Sequence, residues 1–190
     1  MQSIVLASAS PRRAELLRQI GLSFLVQPAD IDETPASNES AEHYVERLAR
    51  EKALAGSASK PGCLVIGSDT SVVLEGRILG KPDSTGDATV MLQALSGTTH
   101  QVMTGVAVVH KGICESRLVI ANVRFRELLA AEIAAYVATG EPMDKAGGYG
   151  IQGAFAMHIK DILGSYTNIV GLCVYNTRIG IKKPVIDRIP

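Results

Sequence analysis

Lys52 is the residue whose position most needs a chemical reason. It lies in a segment from Ser40 to Ala55 where Ala41, Tyr44, Val45, Leu48 and Ala49 recur at helical spacing. At about 100° per residue, Lys52 falls inside that apolar stripe. Either its ammonium snorkels out at the helix end, or it projects into a cleft and meets an anion. Ser8-Ala9-Ser10-Pro11-Arg12-Arg13 raises a similar question, because two guanidiniums in the first turn of a helix oppose its macrodipole. They are either solvated or share an anion with the exposed N–H groups. Asp69 follows the apolar run Leu64-Val65-Ile66-Gly67. A carboxylate at a strand end suits a site in an α/β fold, and ordinary turn capping is the plainer alternative. Lys81 is held in a stiff Gly80-Lys81-Pro82 turn. Asp30, Asp32 and Glu33 form an acidic loop that is mostly solvated but can supply a second carboxylate to a divalent cation.

The elements that must position these groups alternate along the chain. Ser3 to Ser8 reads as a buried strand. A helix opens at Ser10-Pro11, with Ser10 able to cap it, and Gly21 closes it. Ser23 to Gln27 reads as a second strand, and Ser40 to Ala55 as a helix stopped by Gly56. Leu64 to Gly67 is a strand, followed by a Ser71–Leu79 hairpin around Glu75-Gly76. A helix starts at Ser84, with Asp87 three residues on, and ends at Gly97. Thr99–His110 and Ile113–Phe125 are long strands joined at Lys111-Gly112, and Leu129–Ala138 is helical. Lys145–Gly153 is a glycine-rich loop, and Phe155–Ile159 reads as a strand. The interleaving predicts an α/β protein with a mixed β-sheet and flanking helices, in two lobes around a cleft.

Composition removes several classes. The 190 residues are enough for a substantial core, and no internal repeat or clear linker divides residues 1–190. Lys+Arg and Asp+Glu are both 19, so the net charge is zero and no nucleic-acid partner is expected. Aromatics are 4% with no Trp, which leaves little for base stacking. No apolar stretch approaches bilayer length, and the N-terminus lacks a basic region before its apolar run, so neither a membrane partner nor a signal peptide is expected. Cys63, Cys114 and Cys173 are far apart, without metal spacing, and fit a reduced, cytoplasmic location. The four histidines show no metal spacing either. Gly148-Tyr149-Gly150-Ile151-Gln152-Gly153 matches a dinucleotide fingerprint, but the flanking strand, helix and ribose-binding acid are missing.

Taken in order, LASASPRR (6–13), RLAREKA (47–53), GSDT (67–70), GKP (80–82), LSGTTHQVMTGVAV (95–108), DKAGGYGIQG (144–153) and GSYTNIVGL (164–172) resemble the Maf family of nucleoside triphosphate pyrophosphatases, linked to septum formation. Ser-Pro-Arg-Arg with Asp-Thr and Tyr-Gly-Ile-Gln-Gly resembles the branch acting on dTTP and UTP. A sibling branch acts on 7-methyl-GTP. The resemblance implies a fold shared with inosine triphosphate pyrophosphatases, a divalent metal cofactor (Mg²⁺ or Mn²⁺) and a homodimer. It implies that Arg12, Thr70 and Gln152 help set base choice and that Asp69 accepts a proton. Ser8, Arg12 and Arg13 would bind the nucleoside triphosphate substrate. Lys52 and Lys81 would assist catalysis, and Asp69 with Glu33 would hold the metal. Whether Asp69 acts as base or metal ligand stays open at this level. The alternatives are a pyrophosphatase for modified nucleotides or 7-methyl-GTP, and a non-catalytic nucleotide-binding regulator of septum formation. Cys173 stands where the family usually has proline, and Asn122 where threonine is common.

Overall fold

The computed structural model describes residues 3–180, so the tail from 181 onward lies outside it. In chain order the elements are β1 (Ile4–Leu6), α1 (Pro11–Gln19), β2 (Leu25–Val26), α2 (Ala41–Ser59), β3 (Leu64–Leu74), β4 (Arg77–Leu79) and α3 (Thr85–Leu95). They continue with β5 (Thr99–His110), β6 (Ile113–Phe125), α4 (Ala130–Ala138), β7 (Ile159–Leu163), α5 (Tyr166–Val170) and α6 (Val174–Gly180). Three 3₁₀ turns, Glu141–Asp144, Ala146–Gly148 and Ala154–His158, fill the stretch between α4 and β7. The sheet order is β2-β1-β3-β5-β6-β7, with β4 paired to β3. β1 runs parallel to β2 and β3, whereas β4 and β7 pair antiparallel with β3 and β6. This is the expected mixed sheet of an α/β protein.

The chain forms two compact units, and their boundary falls inside each of the three long strands. The first takes the chain up to Asp69, Thr104–Val119 and the chain from Gly171. Beside large buried side chains such as Leu6, Leu17, Leu48 and Ile66, its core holds a cluster of small residues: Val5, Ala7, Ala49, Ala53, Val65, Ala107 and Val109. Small residues let a helix lie close on a sheet. A Cβ on Gly67 would run into Ala49 O and Ala53 N, and one on Gly105 into Val45 O, so both glycines are required by the approach of α2.

The second unit, Thr70–Met103 with Ile120–Val170, has a different core, rich in aromatic rings. Phe125 packs edge-on to Tyr149 at 4.8 Å and to His100 at 4.7 Å between ring centroids. His100 is buried, with Nε2 2.7 Å from the Tyr149 hydroxyl, and burial lowers its pKa from 6.5 to about 4. Between those two values the unfolded chain holds a proton that the folded chain refuses, so stability falls as pH drops through this window and levels off below it. The expected loss is about 3 kcal/mol. Glu39 and Glu132, lowered to about 2 by Arg47 and Arg126 respectively, lose their contribution later, between about 4.5 and 2. Urea midpoints at pH 7, 5.5 and 4.5 therefore decline steeply in the wild type and much less in His100→Gln; parallel slopes would discard the assignment.

Several local expectations are corrected. Gly56 does not stop α2, which runs three residues further, because a Cβ there would meet Val65 Cγ1 at 2.8 Å: the glycine serves packing. Ser10 occupies the position before α1 but its side chain makes no capping bond. Leu64–Gly67 and the first arm of the hairpin are one strand, β3, so Asp69 lies in mid-strand and not at a strand end. Phe155–Ile159 is mainly a 3₁₀ turn, which lets Phe155 turn into the aromatic core, and the strand follows at Ile159–Leu163. No helix among the described residues is long and apolar enough to cross a membrane.

Candidate active site

The register of β1 against β3 sets the site in the first unit. Leu6 pairs with Ile66, and the strands are parallel, so Ser8 and Asp69 both lie just beyond that pair in the same direction. Gly67 and Asp69 share one face of β3 because side chains alternate. Gly67 admits α2 at Ala49 and Ala53, and the same helix face carries Lys52. Lys52 sits in the buried stripe as the periodicity predicts, only 7% exposed, and it meets anions: Nζ lies 2.7 Å from Asp69 Oδ1 and 2.8 Å from Glu33 Oε1. Asp69 is buried, whereas Glu33 is half exposed. Asp32 folds back to accept from Thr34 N at 2.9 Å, and Asp30 is exposed, so Glu33 is the member of the acidic loop that reaches the lysine.

The two arginines divide. Arg13 turns inward: Nη1 donates to Ser8 Oγ at 2.9 Å and Nε to Gly171 O at 2.8 Å. Burial pushes its guanidinium below the usual value, while the Asp69 carboxylate opposes that shift. Arg12 is half-buried one residue earlier on α1. Ser8 Oγ also accepts from Ser10 N at 3.2 Å, so one buried hydroxyl fixes both the turn and the guanidinium.

Thr70, Lys81 and Gln152 belong to the second unit. Thr70 follows Asp69 in β3 and is half-buried. Lys81 is exposed, but Gly80 O accepts from Gly147 N at 2.9 Å, which ties the Gly-Lys-Pro turn to the glycine loop. Gln152 is exposed at a turn in that loop.

Supporting residues had escaped the sequence reading. Arg47 clasps Glu39 through two bonds of 2.7 and 2.8 Å and donates to Thr34 O at 3.1 Å, while Tyr44 Oη donates to Glu33 O at 2.9 Å. These bonds strap the acidic loop to α2 and so place Glu33. Ser68 is fully buried, with Oγ 2.8 Å from Gly105 O and 3.1 Å from Gly171 O, the carbonyl that Arg13 uses. Strand alternation alone would have put Ser68 on the face opposite Asp69, and that was the available signal.

Donor chemistry decides whether a divalent cation suits these residues. Among the described residues no three His, Cys, Asp or Glu side chains form a group that could hold an ion. Magnesium, however, is usually bound by one or two carboxylates together with substrate phosphates. Asp69 and Glu33, converging on one ammonium, fit that pattern.

The Maf-like protein family matches residues 3–183, and the chain belongs to that family. It is 52% identical over 188 residues to the dTTP/UTP pyrophosphatase of Aromatoleum aromaticum, covering 92% of this chain and 91% of that protein. The dTTP/UTP pyrophosphatase of Shewanella frigidimarina is 53% identical over 182 residues, covering 92% and 93%. That of Symbiobacterium thermophilum is 49% identical over 180 residues, covering 93% and 91%. Among solved structures, a nucleoside-triphosphatase / dITP/XTP pyrophosphatase from Mycobacterium abscessus aligns over 65% of this chain and 74% of its own, at 17% identity and a TM-score of 0.43, a likeness too slight to reason from.

Proposed function

We propose that this protein hydrolyses dTTP and UTP to the nucleoside monophosphate and pyrophosphate. The observation that carries the reading is the buried Lys52 held between Asp69 and Glu33, in a chain about half identical to dTTP/UTP pyrophosphatases along nearly its whole length. A triphosphate brings about four negative charges, which repel an attacking hydroxide unless cations offset them. Arg12, Arg13, Lys52 and Lys81 are the proposed cations. Ser8 orients Arg13 and so helps to bind the phosphates. Asp69 accepts the proton of the attacking water. Asp69 and Glu33 would hold a Mg²⁺ or Mn²⁺ ion, which when bound lowers the charge on the phosphate oxygens. Arg12, Thr70 and Gln152 set base choice. The Gln152 amide can donate to O4 of thymine or uracil while its carbonyl accepts from N3–H, a pattern that cytosine reverses. Cys63, Cys114 and Cys173 are all free thiols, which suits the cytoplasm, the proposed location.

Product identification tests the reading most directly. Incubation with dTTP and Mg²⁺ is expected to yield dTMP and pyrophosphate, resolved by ion-exchange chromatography. The appearance of dTDP and orthophosphate would place the cut at the other anhydride and end the proposal.

A further inference from the structure

The segment Gly140–Gly153 contains more fixed chemistry than the proposed contact of Gln152 requires. Glu141 opens it, and its carboxylate lies in the mouth of the turn that bears Gln152. A Cβ on Gly153 would run into Glu141 Oε1 and Oε2, and one on Gly150 would meet Glu141 Oε1 at 3.1 Å and Lys145 Cε at 2.7 Å. The turn is therefore folded around this side chain, and glycine at both ends is what admits it. Tyr136, on the buried face of α4, closes the arrangement: its hydroxyl donates to Glu141 Oε1 at 3.2 Å and accepts from Gly150 N at 3.2 Å. Burial and the Glu141 carboxylate push the Tyr136 phenol above its usual value, so it keeps the proton it donates. Glu141 is anchored in turn by its own backbone. Lys145 Nζ donates to Glu141 O at 2.6 Å and to Asp144 Oδ1 at 2.7 Å, and Glu141 N donates to Thr139 Oγ1 at 3.1 Å.

An amide reads a base only if it cannot flip or drift, because a flip exchanges its donor and acceptor. Gln152 is exposed, so the rigidity must come from the backbone that carries it. We propose that Tyr136 and Glu141 are positioning residues for base selection, clamping the Gly150–Gly153 turn so that it presents residue 152 in one orientation. The inference rests on the proposed role of Gln152 and deepens it.

The test measures kcat and KM for dTTP and CTP in the wild type, Tyr136→Phe, Glu141→Gln, Gln152→Ala and the double variant Tyr136→Phe/Gln152→Ala, with thermal midpoints recorded. Glu141→Gln keeps the size of the side chain and guards against a Tyr136 variant that folds poorly. A loosened turn is expected to lower the dTTP:CTP ratio of kcat/KM by about tenfold, mainly through KM for dTTP. The Tyr136→Phe effect on that ratio should vanish in the Gln152→Ala background, because coupled residues are not additive. If Gln152→Ala changes the ratio and neither clamp variant does, the clamp is structural and the inference is overturned. If the clamp variants change the ratio and Gln152→Ala does not, Tyr136 and Glu141 act on selection by a route other than residue 152, and both the role given to Gln152 and the inference fall. If none changes it, both fall.

Discussion

Asp69→Asn lowers turnover of dTTP by about 10²-fold or more while leaving the fold in place, since a positioned proton acceptor contributes about 10²–10⁴. The substitution keeps the volume of the side chain and removes its charge and basicity. Folding should tolerate it, because Lys52 retains Glu33 at 2.8 Å. Circular dichroism and the thermal midpoint check the fold, and a pyrophosphate-release assay reads the rate. Near-normal turnover would remove Asp69 from the mechanism. The dependence on cation concentration separates the two roles proposed for the carboxylate. A metal ligand lost to asparagine is partly compensated by more Mn²⁺, whereas a lost proton acceptor is not.

Lys52→Met should be the most damaging single change to stability and activity together. Methionine fills the space of the lysine stem inside the buried stripe of α2 but brings no charge. Asp69, 8% exposed, then keeps a carboxylate without its ammonium. Breaking a buried pair from one side costs about 3–5 kcal/mol. The Arg13 guanidinium still attracts Asp69, so the lower end of that range is expected. For a chain of this size each kcal/mol corresponds to about 2–4 °C in Tm, so a drop of roughly 6–12 °C is predicted. Turnover should fall with it, since one of four proposed phosphate-facing cations is gone. The double variant Lys52→Met/Asp69→Asn distinguishes the two effects. Removing the stranded charge should restore much of the lost Tm and none of the activity. If the double variant recovers activity as well, the pair is a folding device and not part of the chemistry.

Both predictions concern residues that stand out in the sequence by their type and spacing. A lysine within an apolar helical stripe contradicts solubility, and paired arginines in a first turn contradict the helix dipole, so each points to an anion. Lys52 finds its anions in Asp69 and Glu33, whereas Arg13 donates to the neutral oxygens of Ser8 and Gly171 while facing the charge of Asp69. The long strands Thr99–His110 and Ile113–Phe125 are equally legible, because β-branched residues recur along both and Lys111-Gly112 marks the turn.

What the chain alone determined is therefore periodic or local: the order of strands and helices, the apolar stripe of α2, the ordered motifs that carry the family resemblance. Tertiary structure decided the rest, because it depends on approach between segments distant in sequence. Gly56 reads locally as a helix stop, yet Val65 requires a glycine there and the helix continues. Glu33 is named from its acidic loop before the fold is known, but its place beside Lys52 comes from Tyr44 and Arg47, which strap that loop to α2. Glu141 carried no signal of its own, since a glutamate after a helix is ordinary until the folded turn closes around its carboxylate. Period and capping are written into neighbouring residues, whereas contacts across the fold exist only after the entropy of closing the intervening chain has been met.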